Sequence, residues 1–405
     1  MSNTLLTTSQ ITNEALMVLT NMLNFTKKVN RQYDDRFAQS GAKIGDTINI
    51  RKPIKLRFST GQNIDVQAAT EQYTPLTLDT QYQRAMAFSS KDRTLSIDMF
   101  SERFIKPAMI SMANQIDFDG FSKALNYTYN QVGTVGSTYT DRDTLNKLVT
   151  GAGVTLSRFM APQDRALVAS TQFMADAATY NNNLFNPQSA IGAQYEDAKV
   201  IRALGFDWSE SQNAPVHTNG TYSGTPAVVG AGQSGSTLNT NGWGAGSTLN
   251  VGDVFTVAGV FTVNGQTKQN TGVLQKFVVT AKNAPATTHA LSISPAIVGP
   301  ENAQLQNVSA LPAGGALITV EGASGATYQT SMAFHKDAYV FGCADLDVPS
   351  RGTESAGRAK DDQLGLSIRF VEQYDIRSDQ WVTRFDLLGG WAPLYAELGT
   401  RLVTL

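Results

Sequence analysis

Apolar positions recur three and four residues apart in "TSQITNEALMVLTNMLNF", where Ile11, Leu16, Leu19 and Leu23 form one stripe. The spacing predicts an amphipathic N-terminal helix capped by Thr12 or Asn13. In "GAKIGDTINIRKP" the period changes to two: Ile48 and Ile50 predict a strand that Pro53 ends, after a turn at Gly45 and Asp46. Leu76, Leu78, Tyr82, Met86 and Phe88 continue at even positions, so residues 54–74 between these runs read as a long two-stranded excursion without a core of its own. Helical spacing returns with Ile97, Phe100, Phe104, Ala108, Met112 and Ile116, predicting a long helix that Pro107 should kink or interrupt. Two further helices are expected in "DRDTLNKLVTGAG" and in "STQFMADAATY", the second capped by Ser170.

After Trp208 the texture changes. Short alternating runs recur at Val254–Val257, Val260–Val263, Phe277–Thr280, Leu291–Ile293 and Leu317–Val320, and Gly, Ser, Thr and Asn fill the spaces between them. Only six Asp, Glu, Lys or Arg residues occur from Ser211 to Thr330: Asp253, Lys268, Lys276, Lys282, Glu301 and Glu321. The pattern predicts a small β-barrel or sandwich inserted into a host domain, with Gly252, Gly259 and Gly265 at turns or bulges. Its strands would pack on a core of their own and brace the host. Beyond it, "GLSIRFVEQYDI" and "DQWVTRFDLLGGW" predict a hairpin turning near Ser378 and Asp379. The fold class is therefore α+β, with host sequence on both sides of the insertion.

Composition narrows the function. The 405 residues carry 32 basic and 34 acidic side chains, a formal net charge of −2, so the global basic footprint of a tight nucleic-acid binder is missing. One cysteine, Cys343, excludes an intramolecular disulfide framework and a cysteine-based zinc site, and fits a reducing compartment. No secretory leader or apolar run of spanning length is visible, so a soluble, unexported protein with no membrane partner is expected.

Candidate chemistry is thin. In "VVGAGQSG", Gly230, Gly232 and Gly235 match the dinucleotide fingerprint, yet "STLNTNGWGAGST" cannot supply the helix the pyrophosphate requires, and a loop is expected. His217, His289 and His335 lack the short spacings of metal sites and read as structural or surface residues. No nucleophile elbow occurs, and Cys343 beside Phe341 reads as a buried small hydrophobe. The acidic pairs Asp34/Asp35, Asp117/Asp119 and Asp361/Asp362 suit helix capping or solvation better than acid–base work. Arg51, Lys52, Lys55 and Arg57, interleaved with Ile50, Ile54, Leu56 and Phe58, read as a charged strand face that meets an acidic face on a neighbouring subunit. No catalytic residue, metal or cofactor is implied. A Gly/Thr/Ser-rich surface or fibre-type binding module is the alternative, for which internal repeats or a leader would be needed.

The order of parts, carried by "NRQYDDRFAQSGAKIGDTINIRKP", "NVGDVFTVAGV", "AFHKDAYVFGCADLDVP" and the final strand pair, resembles the major capsid (coat) proteins of short-tailed double-stranded-DNA bacteriophages of the Salmonella-phage type. The resemblance spans essentially the whole chain. It implies a Hong Kong 97 type capsid fold with an insertion domain: an N-terminal arm (1–40), an extension loop with flanking strands (41–90), a spine helix starting near Leu95 and the first part of the core (91–215), an inserted β-barrel (216–327) and a return segment (328–405). It also implies a structural protein that forms pentamers and hexamers of an icosahedral shell, assembled in the host cytoplasm and found in the virion. A scaffolding protein, a portal protein at one vertex and weakly held double-stranded DNA are the implied partners. Relatives bridge neighbouring capsomers through a charged loop of the insertion. The counterpart expected here, "GAGQSGSTLNTNGWGAGST", has no charge, which makes Trp243 the expected apolar anchor.

Overall fold

The computed structural model describes residues 8–31, 47–54, 71–89, 104–137, 139, 141–159, 164–180, 202–349, 355–361 and 365–404. Two compact units divide the chain. One is drawn from Met1–Ile50, Tyr73–Gly120 and Tyr339–Ala392, the other from Arg51–Gln72, Phe121–Ala338 and Pro393–Leu405.

The first unit opens with helix α1 (Thr8–Met22) and the single turn α2 (Phe25–Lys28). The helix starts earlier than Thr12 or Asn13, and Thr12 is buried inside it. Leu16, Leu19 and Leu23 are buried as the stripe predicts, and α1 lies across two strands of a five-stranded sheet. That sheet combines β3 (Thr80–Ser89), β16 (Tyr339–Ala344), β17 (Ser355–Asp361), β18 (Leu366–Asp375) and β19 (Gln380–Pro393). The order is β16-β19-β18-β17, with β3 also on β19, so the sheet is built from segments almost three hundred residues apart in sequence, as in the pair Gln380↔Ser89. The expected final hairpin is β18–β19, paired from Asp375↔Gln380 onward, and Asp379 adopts the left-handed backbone its turn requires (φ 49°). Strands β1 (Thr47–Lys52) and β2 (Gln72–Thr77) form a separate pair.

Helix α3 (Lys106–Tyr127) begins in this unit. The expected start near Leu95 lies outside the described residues. Phe104 and Ile105 are π-helical and the α-helix starts at Lys106, so the regular helix is interrupted just ahead of Pro107, whose missing N–H falls in the first α-helical turn. Within the unit, Phe25, Tyr339, Phe341 and Trp391 make a tilted aromatic cluster, with centroid separations from 4.6 Å for Phe341–Trp391 to 6.1 Å for Phe25–Tyr339. Gly120 is the helix position beneath the indole, and a Cβ there would stand 2.3 Å from Trp391.

In the second unit, α4 (Arg142–Arg158) is capped by Asp141, whose carboxylate accepts the Thr144 N–H at 2.8 Å; α5 (Thr171–Tyr180) is capped by the Ser170 hydroxyl, which accepts the Phe173 N–H at 3.3 Å. A seven-stranded mixed sheet comprises β4 (Gln131–Val132), β5 (Arg165–Ala169), β6 (Arg202–Ala203), β7 (Phe206–Glu210), β8 (Val216–Thr218), β15 (Thr327–His335) and β20 (Gly399–Thr404), in the order β4-β20-β15-β5-β7-β6 with β8 on β15. Leu145, Leu148, Val149, Ala152 and Leu156 of α4 and Phe173 and Met174 of α5 pack on Leu167, Phe206, Trp208 and Leu402 of this sheet.

Between β8 and β15 the chain makes the expected inserted sheet: β9 (Gly224–Val228), β10 (Gly235–Trp243), β11 (Val254–Val263), β12 (Asn270–Val279), β13 (His289–Ile297) and β14 (Ile318–Val320). The order β14-β11-β12-β13-β10-β9 nearly closes, because β9 returns to the segment before β14 through the Ala227↔Leu317 bridge and the Val228 N–H bond to Ala316 O at 3.0 Å. Phe255, Val257, Phe277, Val279, Leu291, Ile293 and Ile297 fill its interior. The runs expected at Val254–Val257 and Val260–Val263 are one strand, interrupted by a register shift between Thr256 and Phe261 in which Gly259 takes φ 80°. No helix among the described residues is long and apolar enough to cross a membrane.

Candidate functional site

The segment expected to be the charge-free bridging loop is mostly strand. Gly235–Trp243 is β10, hydrogen-bonded to β13 on one side and β9 on the other. Trp243 is not an exposed anchor: it is 3% exposed, in the interior of the inserted sheet. Its indole N–H donates to the Thr240 hydroxyl at 2.9 Å, and its ring lies 5.6 Å from His289 and 6.3 Å from Tyr222. Leu238 and Thr240 alternate inward, and the register shift between Asn241 and Trp243, with Gly242 at φ 78°, turns the indole to the same side. The glycines before it behave as expected of a loop, with Gly230 and Gly232 at positive φ and no helix following.

The basic face is only partly described. Arg51 is exposed on β1 and approaches Glu71 at 3.7 Å, an exposed pair of little stabilising worth. Lys52 places its ammonium 5.1 Å from the Tyr395 ring centroid, a cation–π contact. Lys55 and Arg57 lie outside the described residues, as do Asp34, Asp35 and Asp362.

The densest polar constellation joins the inserted sheet to the seven-stranded core. Asp253, fully buried just before β11, accepts from His217 Nε2 at 2.8 Å through one oxygen, and from the Gly220 and Asn250 N–H groups at 3.0 and 2.8 Å through the other. Those donors belong to β8, to the chain leaving it and to the turn before β11, so one carboxylate ties the entry into the insertion to the start of β11. Beside it, the buried Arg401 guanidinium of β20 donates to Gly252 O at 2.6 Å and Leu125 O at 2.5 Å. Tyr328 packs edge-on to His217 at 5.4 Å; burial pushes its hydroxyl up to about 12 against the pull of Arg401. Gly252 is required here twice over, by its φ of 99° and because a Cβ would meet His217 at 2.9 Å.

Apolar contact completes the junction. Val254 and Val278, on the outer face of the inserted sheet, pack with Tyr129, Phe159 and Ala396 of the core. Lys276 bridges the same faces, donating to Gln131 O at 3.1 Å and pairing with Glu321 at 2.7 Å. The first four residues of β11 are therefore buried on both faces, which accounts for the scarcity of charge there.

In the first unit, Asp117 does the capping expected of it, but across space. Its carboxylate accepts the Asn24, Phe25 and Thr26 N–H groups at 2.6, 3.3 and 3.0 Å and the Thr26 hydroxyl at 2.5 Å. Burial holds this carboxyl above its ordinary range, opposed by those four donors. A second buried carboxylate, Asp386, takes Arg369 and Arg384, each at 2.6 Å. Sequence reading missed Asp253, Asp386 and Arg401 as structural centres. For Asp253 a signal existed, a lone acid in an almost charge-free stretch; nothing in the local pattern marked Arg401 or Asp386.

The remaining candidates are structural. All three histidines are buried, and burial lowers the basicity of His289 and His335. Cys343 is buried, with its thiol pushed up to about 12 by desolvation, the state of an inert core residue.

No curated protein matches the chain. Among solved structures it is similar to the CUS-3 coat protein I-domain, 34% identical over 24% of this chain and 96% of that one, with a TM-score of 0.20. It is also similar to a chain of Mycobacterium phage Che8 (11% identity, 94% and 90% covered, TM-score 0.45) and to the virus-like particle from Pyrococcus furiosus (8% identity, 97% and 98% covered, TM-score 0.43). The model of the family described as P22 coat protein, gene protein 5, matches residues 1–403, and the chain belongs to that family.

Proposed function

We propose that this bacteriophage capsid protein assembles as pentamers and hexamers into an icosahedral shell that encloses double-stranded DNA. The observation that carries the reading is the family match across residues 1–403, which leaves almost none of the chain to another task. Physical features support it. A shell places one sequence in slightly different surroundings, and exposed apolar side chains at Met17, Tyr73 and Ile376 suit contacts that form only on assembly. A net charge of −2 suits a container that must release its genome, since a cationic lining would hold phosphate. In this reading a scaffolding protein directs assembly in the host cytoplasm, a portal protein occupies one vertex, and DNA is held weakly. The basic segment bearing Arg51, Lys52, Lys55 and Arg57 faces an acidic surface on a neighbouring subunit, and the inserted sheet (216–327) braces its host. Electron microscopy of the purified chain, alone and with scaffolding protein, tests the proposal. Closed shells are expected; a chain that stays monomeric under every assembly condition refutes it.

A further inference from the structure

Three Asn-Gly pairs occur in the chain, Asn219–Gly220, Asn241–Gly242 and Asn264–Gly265, all within the inserted region, and the fold places them in unequal chemical situations. Asn-Gly is prone to imide formation because the following residue has no side chain to hinder attack by its own peptide nitrogen. Whether attack occurs depends on the freedom of that nitrogen, the polarity of the Asn side-chain carbonyl, and room for the backbone to bend.

At Asn219 all three are blocked. The residue is 2% exposed, its amide donates to Glu321 O and Ala323 O at 3.0 and 3.1 Å, and the nitrogen that would attack, that of Gly220, is bound to Asp253 at 3.0 Å. At Asn241 the side chain is exposed, but the backbone is held in β10 opposite Ala227, and a Cβ at Gly242 would lie 2.5 Å from Thr225 O. Asn264 differs. It lies at the tip of the β11–β12 hairpin, and nothing stands within 4 Å of where a Gly265 Cβ would be. Its side-chain oxygen accepts the Gln266 and Thr267 N–H groups at 2.9 and 3.1 Å. Two donors on that oxygen draw electrons from Cγ and stabilise the oxyanion that attack would create. Neither Asn264 Nδ2 nor the Gly265 N–H has an acceptor among the described residues.

We propose that Asn264–Gly265 is a site of spontaneous covalent modification, converted through a cyclic imide to aspartate and isoaspartate while the other two Asn-Gly pairs persist. The Gly265 nitrogen forms a bond to Asn264 Cγ, the Cγ–Nδ2 bond breaks, and the displaced proton leaves with the nitrogen as ammonia. Water then opens the imide at either carbonyl. The net change is amide plus water to carboxylic acid plus ammonia, without oxidation or reduction. The aspartate product keeps an acceptor for Gln266 and Thr267 and sets a new negative charge on a sheet with few charges. The isoaspartate product lengthens the backbone at a residue whose N–H and C=O bind Gln269 O and the Lys268 N–H, at 2.9 and 3.0 Å, and so loosens the hairpin end.

The test is timed incubation of the intact, folded protein at mildly alkaline and mildly acidic pH, followed by peptide mapping that separates Asn, Asp and isoaspartyl forms. Conversion at Asn264 is expected to outpace that at Asn219 and Asn241 by about tenfold or more, the ratio given by a barrier difference of about 1.4 kcal/mol. It should quicken with pH, because the attacking species is the deprotonated nitrogen. Gly265→Ala should slow it several-fold at Asn264 and leave the other two pairs as they were. In urea the three pairs should convert at similar rates, since only the fold separates them. Equal rates in the folded protein, or the same ranking in urea, overturns the proposal.

Discussion

Asp253 and Asp117 show how a carboxylate without catalytic duty can govern a fold. Each is buried and each takes donors from a segment distant in sequence, Asp253 the His217 ring and the Gly220 N–H, Asp117 the Asn24, Phe25 and Thr26 N–H groups. Removing one partner from such a network leaves the others unsatisfied in a dry environment, which typically costs about 3–5 kcal/mol. Asp253→Ala is accordingly expected to lower unfolding stability by that amount in a urea titration, and Asp253→Asn, which keeps an oxygen acceptor, by less. Gly120 tests packing in the other unit. Gly120→Ala improves helix propensity by about 1 kcal/mol, but its methyl would overlap Trp391, and overpacking typically costs about 1–3 kcal/mol. A net loss of stability is expected, with partial recovery in a Gly120→Ala/Trp391→Phe double variant; an unchanged or raised urea midpoint for the single variant would show that the indole moves aside freely.

At the scale of elements, residues that face only one neighbour were legible and residues serving two masters were not. Helices α4 and α5 present one apolar face and carry their own caps, so period and capping chemistry agreed with the outcome. Strand β10 is different: its Gly, Ser, Thr and Asn content reads as loop, and pairing with both β9 and β13 overrides that local preference. The junction itself was hidden because Asp253 and Arg401 are 148 positions apart, and no local pattern links them. Strand β15 supplies a further prediction. His335, at its end, is buried and less basic than an ordinary histidine, chiefly by desolvation, with Lys336 and Arg165 acting in the same sense and Asp337 and Asp164 opposing. Its Nδ1 accepts the Asp337 N–H at 3.3 Å, a bond available to the neutral ring. Folded His335 therefore binds its proton less tightly than the unfolded chain, whose histidines titrate near pH 6.5, so stability is present above that pH and lost as pH falls below it. Urea midpoints measured between neutral and mildly acidic pH should fall, and His335→Gln should flatten the slope. Asp117, held above the ordinary carboxyl range, contributes with the opposite sign, so the comparison with the variant isolates the histidine.

At the scale of the molecule, the inserted sheet is covered by its host on one face and filled by its own side chains within. Val254 and Val278 leave solvent only because Tyr129, Phe159 and Ala396 meet them, and the same contact removes those three from solvent. Deletion of residues 219–326, which spares β8 and β15 of the core sheet, would therefore expose an apolar face on the core and strip Arg401 of one of its two carbonyl acceptors, Gly252 O. The physical asymmetry lies in what each fragment retains. The insertion keeps its interior of Phe255, Phe277, Leu291 and Ile293 and loses only an outer patch. The core keeps α4 and α5 on their sheet but is left with a buried guanidinium half-satisfied, a defect that hydrophobic burial elsewhere cannot repair. The deleted chain is thus expected to aggregate or to unfold at lower urea than the parent, and Arg401→Met within the deletion should partly restore it by removing the stranded charge. If the deleted chain stays soluble with an unchanged urea midpoint, the inserted sheet does not brace its host.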